Sequence, residues 1–189
     1  MSVSLRCYST SLGCPKNRVD TERLLGSLGV ALVPVESPDE AELVFINTCA
    51  FIQPATEESV RTIAQAIADI EELPKRPLLA VAGCLVGRYH AEDLAPELPE
   101  VDLWLDNSDL EAWPAMLARK LGLPEPTVPG RILSTGPSYA WLKISDGCRH
   151  ACSFCAIPNI RGGHRSHCKD MIVREARALL DQGVKELNL

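Results

Sequence analysis

Six of the chain's eight cysteines fall into two groups of three. Cys148, Cys152 and Cys155 form a CxxxCxxC run, compact enough for one loop to wrap an inorganic group. Three thiolates on a four-iron cluster leave one iron open, which is what a chelating cofactor or substrate needs. Zinc modules usually pair two CxxC knuckles, so a zinc site here would need a further ligand from His150, His164 or His167. The second group, Cys14, Cys49 and Cys84, is spread along the chain at intervals of 35 residues. Its members can meet only if the fold gathers them. Three converging thiolates suit a soft metal centre, whereas buried apolar cysteines are the ordinary alternative for any one of them. Cys7 is in phase with Val3 and Leu5 and reads as core.

The elements that would gather them follow from periodicity. Strands are expected at Val3–Tyr8, Val30–Val35, Leu43–Asn47, Leu78–Ala82 and Val101–Leu105. Helices are expected at Val19–Leu28, at Thr56–Leu73 with Glu57 and Glu58 in its first turn, at Val86–Leu94 and at Leu110–Leu121. This βα rhythm predicts an α/β fold with a doubly wound, open parallel sheet over residues 1–122. Cys14, Cys49 and Cys84 then all lie at carboxyl ends of parallel strands, the edge where such sheets bind ligands. Gly13 and Gly83, each preceding one of these cysteines, would let the backbone approach a bulky inorganic group. Prolines and glycines crowd the segment up to Pro137, so 123–137 reads as a linker. Beyond it, 138–189 offers a strand at Tyr139–Ile144, a cysteine-rich loop, a helix at Asp170–Leu180 and a strand at Val184–Leu189. Those 52 residues are too few to cover both faces of a parallel sheet, so the chain is expected to be a fragment of a longer protein.

Composition narrows the class. The chain has 189 residues, 46% of them hydrophobic and 23% charged, which fits a globular domain and excludes coiled coil, collagen and disorder. The uncharged apolar stretch around Leu78–Gly87 is too short to span a bilayer and the start lacks a signal-peptide core, so no membrane association and a cytoplasmic location are expected. A reducing cytosol makes metal or redox chemistry the default use of eight cysteines, ahead of disulfides. With a net charge of -6, nucleic acid is not an expected partner of this chain alone, while a basic protein is.

The segment Asp146-Gly147-Cys148-Arg149-His150-Ala151-Cys152-Ser153-Phe154-Cys155 resembles the signature of the radical S-adenosylmethionine (SAM) enzymes. Ser11-Leu12-Gly13-Cys14-Pro15-Lys16-Asn17, Asn47-Thr48-Cys49 and Gly83-Cys84 resemble the amino-terminal domain of the methylthiotransferases, a branch of that superfamily. Gly-Cys-Pro-Lys-Asn, together with Ile157-Pro158-Asn159-Ile160-Arg161-Gly162, is more similar to the ribosomal-protein enzymes of the family than to its tRNA enzymes, which usually carry Gly-Cys-Gln. The resemblance spans the chain, although relatives usually have proline where this one has Cys168.

The resemblance implies a doubly wound amino-terminal domain followed by the first part of a radical SAM partial (β/α) barrel. The rest of that barrel and a TRAM domain would lie beyond this chain. It also implies two 4Fe-4S clusters, one on Cys148, Cys152 and Cys155 and an auxiliary one on Cys14, Cys49 and Cys84. SAM would sit at the open iron of the first, with Phe154 beside the cofactor. One electron from a reductant such as flavodoxin or ferredoxin would cleave SAM to a radical that takes hydrogen from an unactivated carbon. The auxiliary cluster would deliver sulfur and a second SAM the methyl group. The implied acceptor is the β-carbon of an aspartate in a small-subunit ribosomal protein, and no acid-base dyad is implied. A tRNA acceptor and a non-catalytic metal-binding fragment are the alternatives. For Arg161, Gly162, Gly163 and Arg165, a role at substrate or cofactor and a solvated basic loop both stay open.

Overall fold

Runs of aliphatic and β-branched residues set the centre of the fold in the computed structural model, which describes residues 4–189. The chain runs β1 (Ser4–Ser11), α1 (Pro15–Ser27), β2 (Ala31–Pro34), β3 (Leu43–Thr48), α2 (Gln53–Ile70), β4 (Leu78–Gly83), α3 (Cys84–Tyr89), α4 (Ala91–Leu94), β5 (Leu103–Asp106) and α5 (Trp113–Leu121). All five strands are parallel, in the order β2-β1-β3-β4-β5. β3 is buried along its whole length, as a strand covered on both faces must be. Its side chains alternate between two cores. Val44 and Ile46 pack with Ile63, Ile70 and Leu85, whereas Leu43 and Phe45 pack with Leu24, Leu105, Trp113 and Leu117. Helices therefore cover both faces of the sheet, and the expected doubly wound architecture is the one observed.

The expected element ends shift where prolines and glycines intervene. Val3 lies outside the described residues. α1 begins at Pro15 rather than Val19, and α2 at Gln53 rather than Thr56, because Pro15 and Pro54 occupy first turns that their fixed φ prepares. The helix expected at Val86–Leu94 is two helices broken at His90, which has a φ of 60°. The helix expected at Leu110–Leu121 begins at Trp113, and Leu110–Ala112 forms a turn after a 3-10 helix at Asn107–Asp109.

After residues 123–138, which contain neither helix nor strand, come β6 (Tyr139–Trp141), β7 (Ser145–Asp146), α6 (Ile157–Arg161), β8 (Arg165–Ser166), α7 (Lys169–Asp181) and β9 (Glu186–Asn188). β6 pairs in parallel with β9, and Ala140, Leu142, Leu179 and Val184 close a small core beneath α7. The strand expected at Tyr139–Ile144 ends at Trp141; Leu142–Ile144 is irregular, and the chain re-pairs as β7, antiparallel to β8.

What joins this region to the sheet is the polar side of α1. Asn17, Asp20, Thr21 and Glu22 are all buried. The Glu22 carboxylate accepts from Arg131 Nε and Nη2 at 2.9 and 2.7 Å and from Ser134 N and Oγ at 2.9 and 2.6 Å. Arg131 Nη1 reaches Glu175 Oε1 at 2.8 Å, and Arg23 Nη2 reaches Glu175 Oε2 at 2.5 Å. Thus α1, the 123–138 segment and α7 share one network of charge-assisted hydrogen bonds.

Burial alone would raise the Glu175 carboxyl, but the hydrogen bonds and charges of Arg23 and Arg131 hold it below its ordinary value of 4.5. A depressed folded value means that this stabilisation is complete above about 4.5 and is lost as the pH falls from there through the folded value. We expect Glu175→Gln to cost about 2 kcal/mol at neutral pH and to flatten the loss of stability between neutral and acidic pH. Urea unfolding of both proteins across that range measures it, and a variant with unchanged stability and pH slope would remove Glu175 from the network.

Candidate metal centre

β1, β3 and β4 are neighbours in the sheet, so the loops leaving their carboxyl ends share one edge. Those three loops carry Cys14, Cys49 and Cys84. Cys14 caps the start of α1, Cys49 follows β3, and Cys84 is the first residue of α3. The sheet order reverses between β1 and β3, so Cys14 and Cys49 flank the switch point where doubly wound sheets form their crevice.

The loops are laced together by side chains of the same motifs. Asn17 Nδ2 donates to the carbonyls of Leu12 and Thr48, both at 2.8 Å. Asn47 Nδ2 donates to Asn17 O at 2.9 Å and to Thr21 Oγ1 at 3.1 Å. Thr48 Oγ1 donates to Ala82 O at 2.5 Å and accepts from Leu85 N at 3.2 Å. Ser59 Oγ accepts from Cys49 N at 3.0 Å and donates to Cys49 O at 2.7 Å. Gly13 and Gly83 also make room for the neighbouring loops. A Cβ on Gly13 would lie 2.6 Å from Cys49 Sγ, and one on Gly83 would lie 2.6 Å from Thr48 O. Both have positive φ, 81° and 99°, so they let the cysteine loops pack against each other.

Burial pushes the Cys84 thiol up, the Arg161 guanidinium opposes this, and charge on Cys49 and Cys14 raises it further. Cys7 is different: it is buried in the core, and burial alone pushes its thiol up to about 12. It stays a neutral core residue.

The other three cysteines lie in the irregular stretch between β7 and α6. Cys152 is exposed, while Cys148 and Cys155 are half-buried. The loop is pinned where Cys148 N donates to Gly162 O at 3.1 Å and where Cys155 N donates to Cys152 O at 3.0 Å. Phe154 is 89% exposed, on the loop's outer surface. Among the described residues no three His, Cys, Asp or Glu side chains are gathered to hold a single metal ion, and this includes His150, His164 and His167 with these cysteines. An all-thiol donor set suits a soft metal centre, an iron–sulfur cluster among them. Cys168 caps the start of α7.

Of the two readings left open for Arg161, the solvated loop is excluded: the residue is 3% exposed and lies at the junction of both regions. Its Nη1 contacts Asp20 Oδ2 at 3.3 Å and Asp146 Oδ1 and Oδ2 at 3.1 and 3.0 Å, and its Nη2 donates to Asn17 Oδ1 at 2.5 Å. Lys143 Nζ completes the group, 2.6 Å from both Asp20 Oδ1 and Asp146 Oδ2. Burial would raise the Asp146 carboxyl, yet Arg161 and Lys143 hold it down at about 2. Gly162, Gly163 and Arg165 are exposed. The available signal was that Asp20 follows Asn17 by one helical turn, and so shares its face of α1.

Gly13→Ala is expected to leave helix content unchanged while displacing Cys49, so the chain should retain less iron after anaerobic reconstitution. Iron assay with circular dichroism checks it; full iron retention would mean the Gly13–Cys49 contact does not shape the site.

A family model described as "Uncharacterized protein family UPF0004" matches residues 6–106, the sheet domain with all of Cys14, Cys49 and Cys84. Among curated relatives, the "Ribosomal protein uS12 methylthiotransferase RimO" of Nitratidesulfovibrio vulgaris (strain DP4) is 70% identical over 182 residues, covering 96% of this chain and 42% of the relative. Proteins of the same name from Oleidesulfovibrio alaskensis and Aquifex aeolicus are 64% and 49% identical, over 95% and 94% of this chain and 42% and 39% of their own length. The chain thus spans about two fifths of the length of these relatives. With a sheet, a strand edge and a cysteine set that all lie within the matched residues, the chain belongs to the UPF0004 family.

Proposed function

We propose that this chain supplies the two iron–sulfur sites of an enzyme that adds a methylthio group to the β-carbon of an aspartate in ribosomal protein uS12. The observation that carries this reading is the placement of Cys14, Cys49 and Cys84 on three loops that leave one sheet edge, in a chain that also holds a second three-cysteine loop and is 70% identical to a relative named as a uS12 methylthiotransferase. That name favours a protein acceptor over a tRNA. No helix among the described residues is long and apolar enough to cross a membrane.

In this reading residues 1–122 hold the auxiliary cluster, 123–137 link, and 138–189 open the radical SAM domain. Cys148, Cys152 and Cys155 hold the SAM-binding cluster, and Phe154 flanks the cofactor. When bound, the clusters and SAM supply one-electron chemistry at an unactivated carbon, beyond the reach of acid-base side chains. The chain's own residues fix the thiols: Asn17, Asn47 and Thr48 hold the strand-edge loops in register, while the Gly162 carbonyl anchors the Cys148 loop. Exposure of Cys152 and Phe154 leaves that loop open to a cofactor and to an electron donor such as flavodoxin or ferredoxin. The acidic balance of the chain suits a basic ribosomal protein as substrate.

Two substitutions in the full-length protein separate the roles. Cys152→Ala should abolish formation of 5′-deoxyadenosine from SAM, and cleavage at the normal rate would refute the assignment of that loop. Cys49→Ala should leave SAM cleavage in place while methylthio product disappears, as read by mass spectrometry of uS12. A Cys49→Ala protein that still makes product would take Cys49 out of the sulfur-donating site.

A further inference from the structure

Four charges are buried together between α1, β7 and α6: Asp20, Asp146, Lys143 and Arg161, none with more than 6% of its side chain exposed. As a set they are neutral, but they are not symmetric about the cysteine edge. Arg161 alone reaches it. Its Nη2 donates to Asn17 Oδ1 at 2.5 Å, and Cys84 Sγ lies 3.8 Å from the same oxygen. Cys84 Sγ also accepts from Asn107 Nδ2 at 3.8 Å, so the thiol sits among polar groups and has little water around it. Of the four charges, it is Arg161 that acts most on this thiol.

A charge acts strongly at short range where water is excluded. A thiolate-bound cluster gains a negative charge on reduction, and its potential follows the local net charge and the hydrogen bonds around its sulfurs. We infer that Arg161, supplied by the second region, is the counter-charge that raises the reduction potential of a cluster held on Cys14, Cys49 and Cys84. Docking of the two regions then sets the redox state of that site. The inference rests on the proposed reading that these three cysteines hold a cluster. In that reading Arg161 holds no ligand and touches no substrate; it tunes.

The test uses full-length protein carrying Cys148→Ala, Cys152→Ala and Cys155→Ala together, reconstituted anaerobically with iron and sulfide, so that one three-cysteine site remains. Its midpoint potential is read by electron paramagnetic resonance during redox titration. Adding Arg161→Gln should lower the potential, with the ratio of reduced to oxidised cluster at a fixed potential falling about tenfold, equivalent to about 59 mV for one electron. Arg161→Lys, which keeps the charge, should stay close to the parent. Asp20→Asn removes a neighbouring negative charge and should move the potential the opposite way, upward. General loosening of the site cannot produce opposite signs. If Arg161→Gln holds no iron, Arg161→Lys and Asp20→Asn decide by the same criteria. Unchanged potentials, or shifts of one sign, at preserved iron content would overturn the inference alone. A parent protein that binds no iron and sulfide would overturn the cluster reading, and the inference with it.

Discussion

The burial of the polar face of α1 is the constraint on which the arrangement depends. Removing Asp20 and Glu22 from water is costly, and such charges are tolerated only when each is paired and hydrogen-bonded. Both are: Asp20 by Lys143 and Arg161, and Glu22 by Arg131 and Ser134. Removing one partner would leave a buried charge uncompensated, so the two networks tie the place of the second region to α1. The same helix is capped by Cys14. One element therefore carries a candidate ligand at its start and the docking surface along its side.

The sheet then explains why loops carrying distant cysteines leave one edge. β3 and β4 are apolar runs buried on both faces, so the strand edge is the only place where loops from β1, β3 and β4 can converge on something polar. Asn17 and Asn47 stitch those loops with buried hydrogen bonds, and Gly13 and Gly83 remove the side chains that would keep them apart. The Cys148–Cys155 loop contrasts with this edge, being irregular and open to solvent at Cys152.

Much of this was legible in the sequence, for physical reasons that differ from element to element. Fully buried strands such as β3 leave an apolar run, and the βα alternation dictates a parallel sheet, so the strand edge and its three cysteines could be placed without coordinates. Pro15 and Pro54 mark helix starts that apolar periodicity, which begins later, cannot see. The polar face of α1 was not readable as an interface. Asp20 and Glu22 look like residues of a solvated helix, and their partners lie 123 and 109 residues away. Arg161 was opaque for the same cause, since its partners on α1 are 141 and 144 residues away. Local pattern gives no sign of pairs formed across a domain junction. The β7–β8 pairing is likewise too short for a period to register.

The central proposal is that six cysteines, three on loops at the sheet edge and three on the loop between β7 and α6, hold two separate four-iron clusters. Iron, sulfide and zinc content per chain of the full-length protein, determined after anaerobic reconstitution, tests it most directly. The account expects iron and sulfide sufficient for two such clusters. Half that amount, or stoichiometric zinc without sulfide, would contradict it.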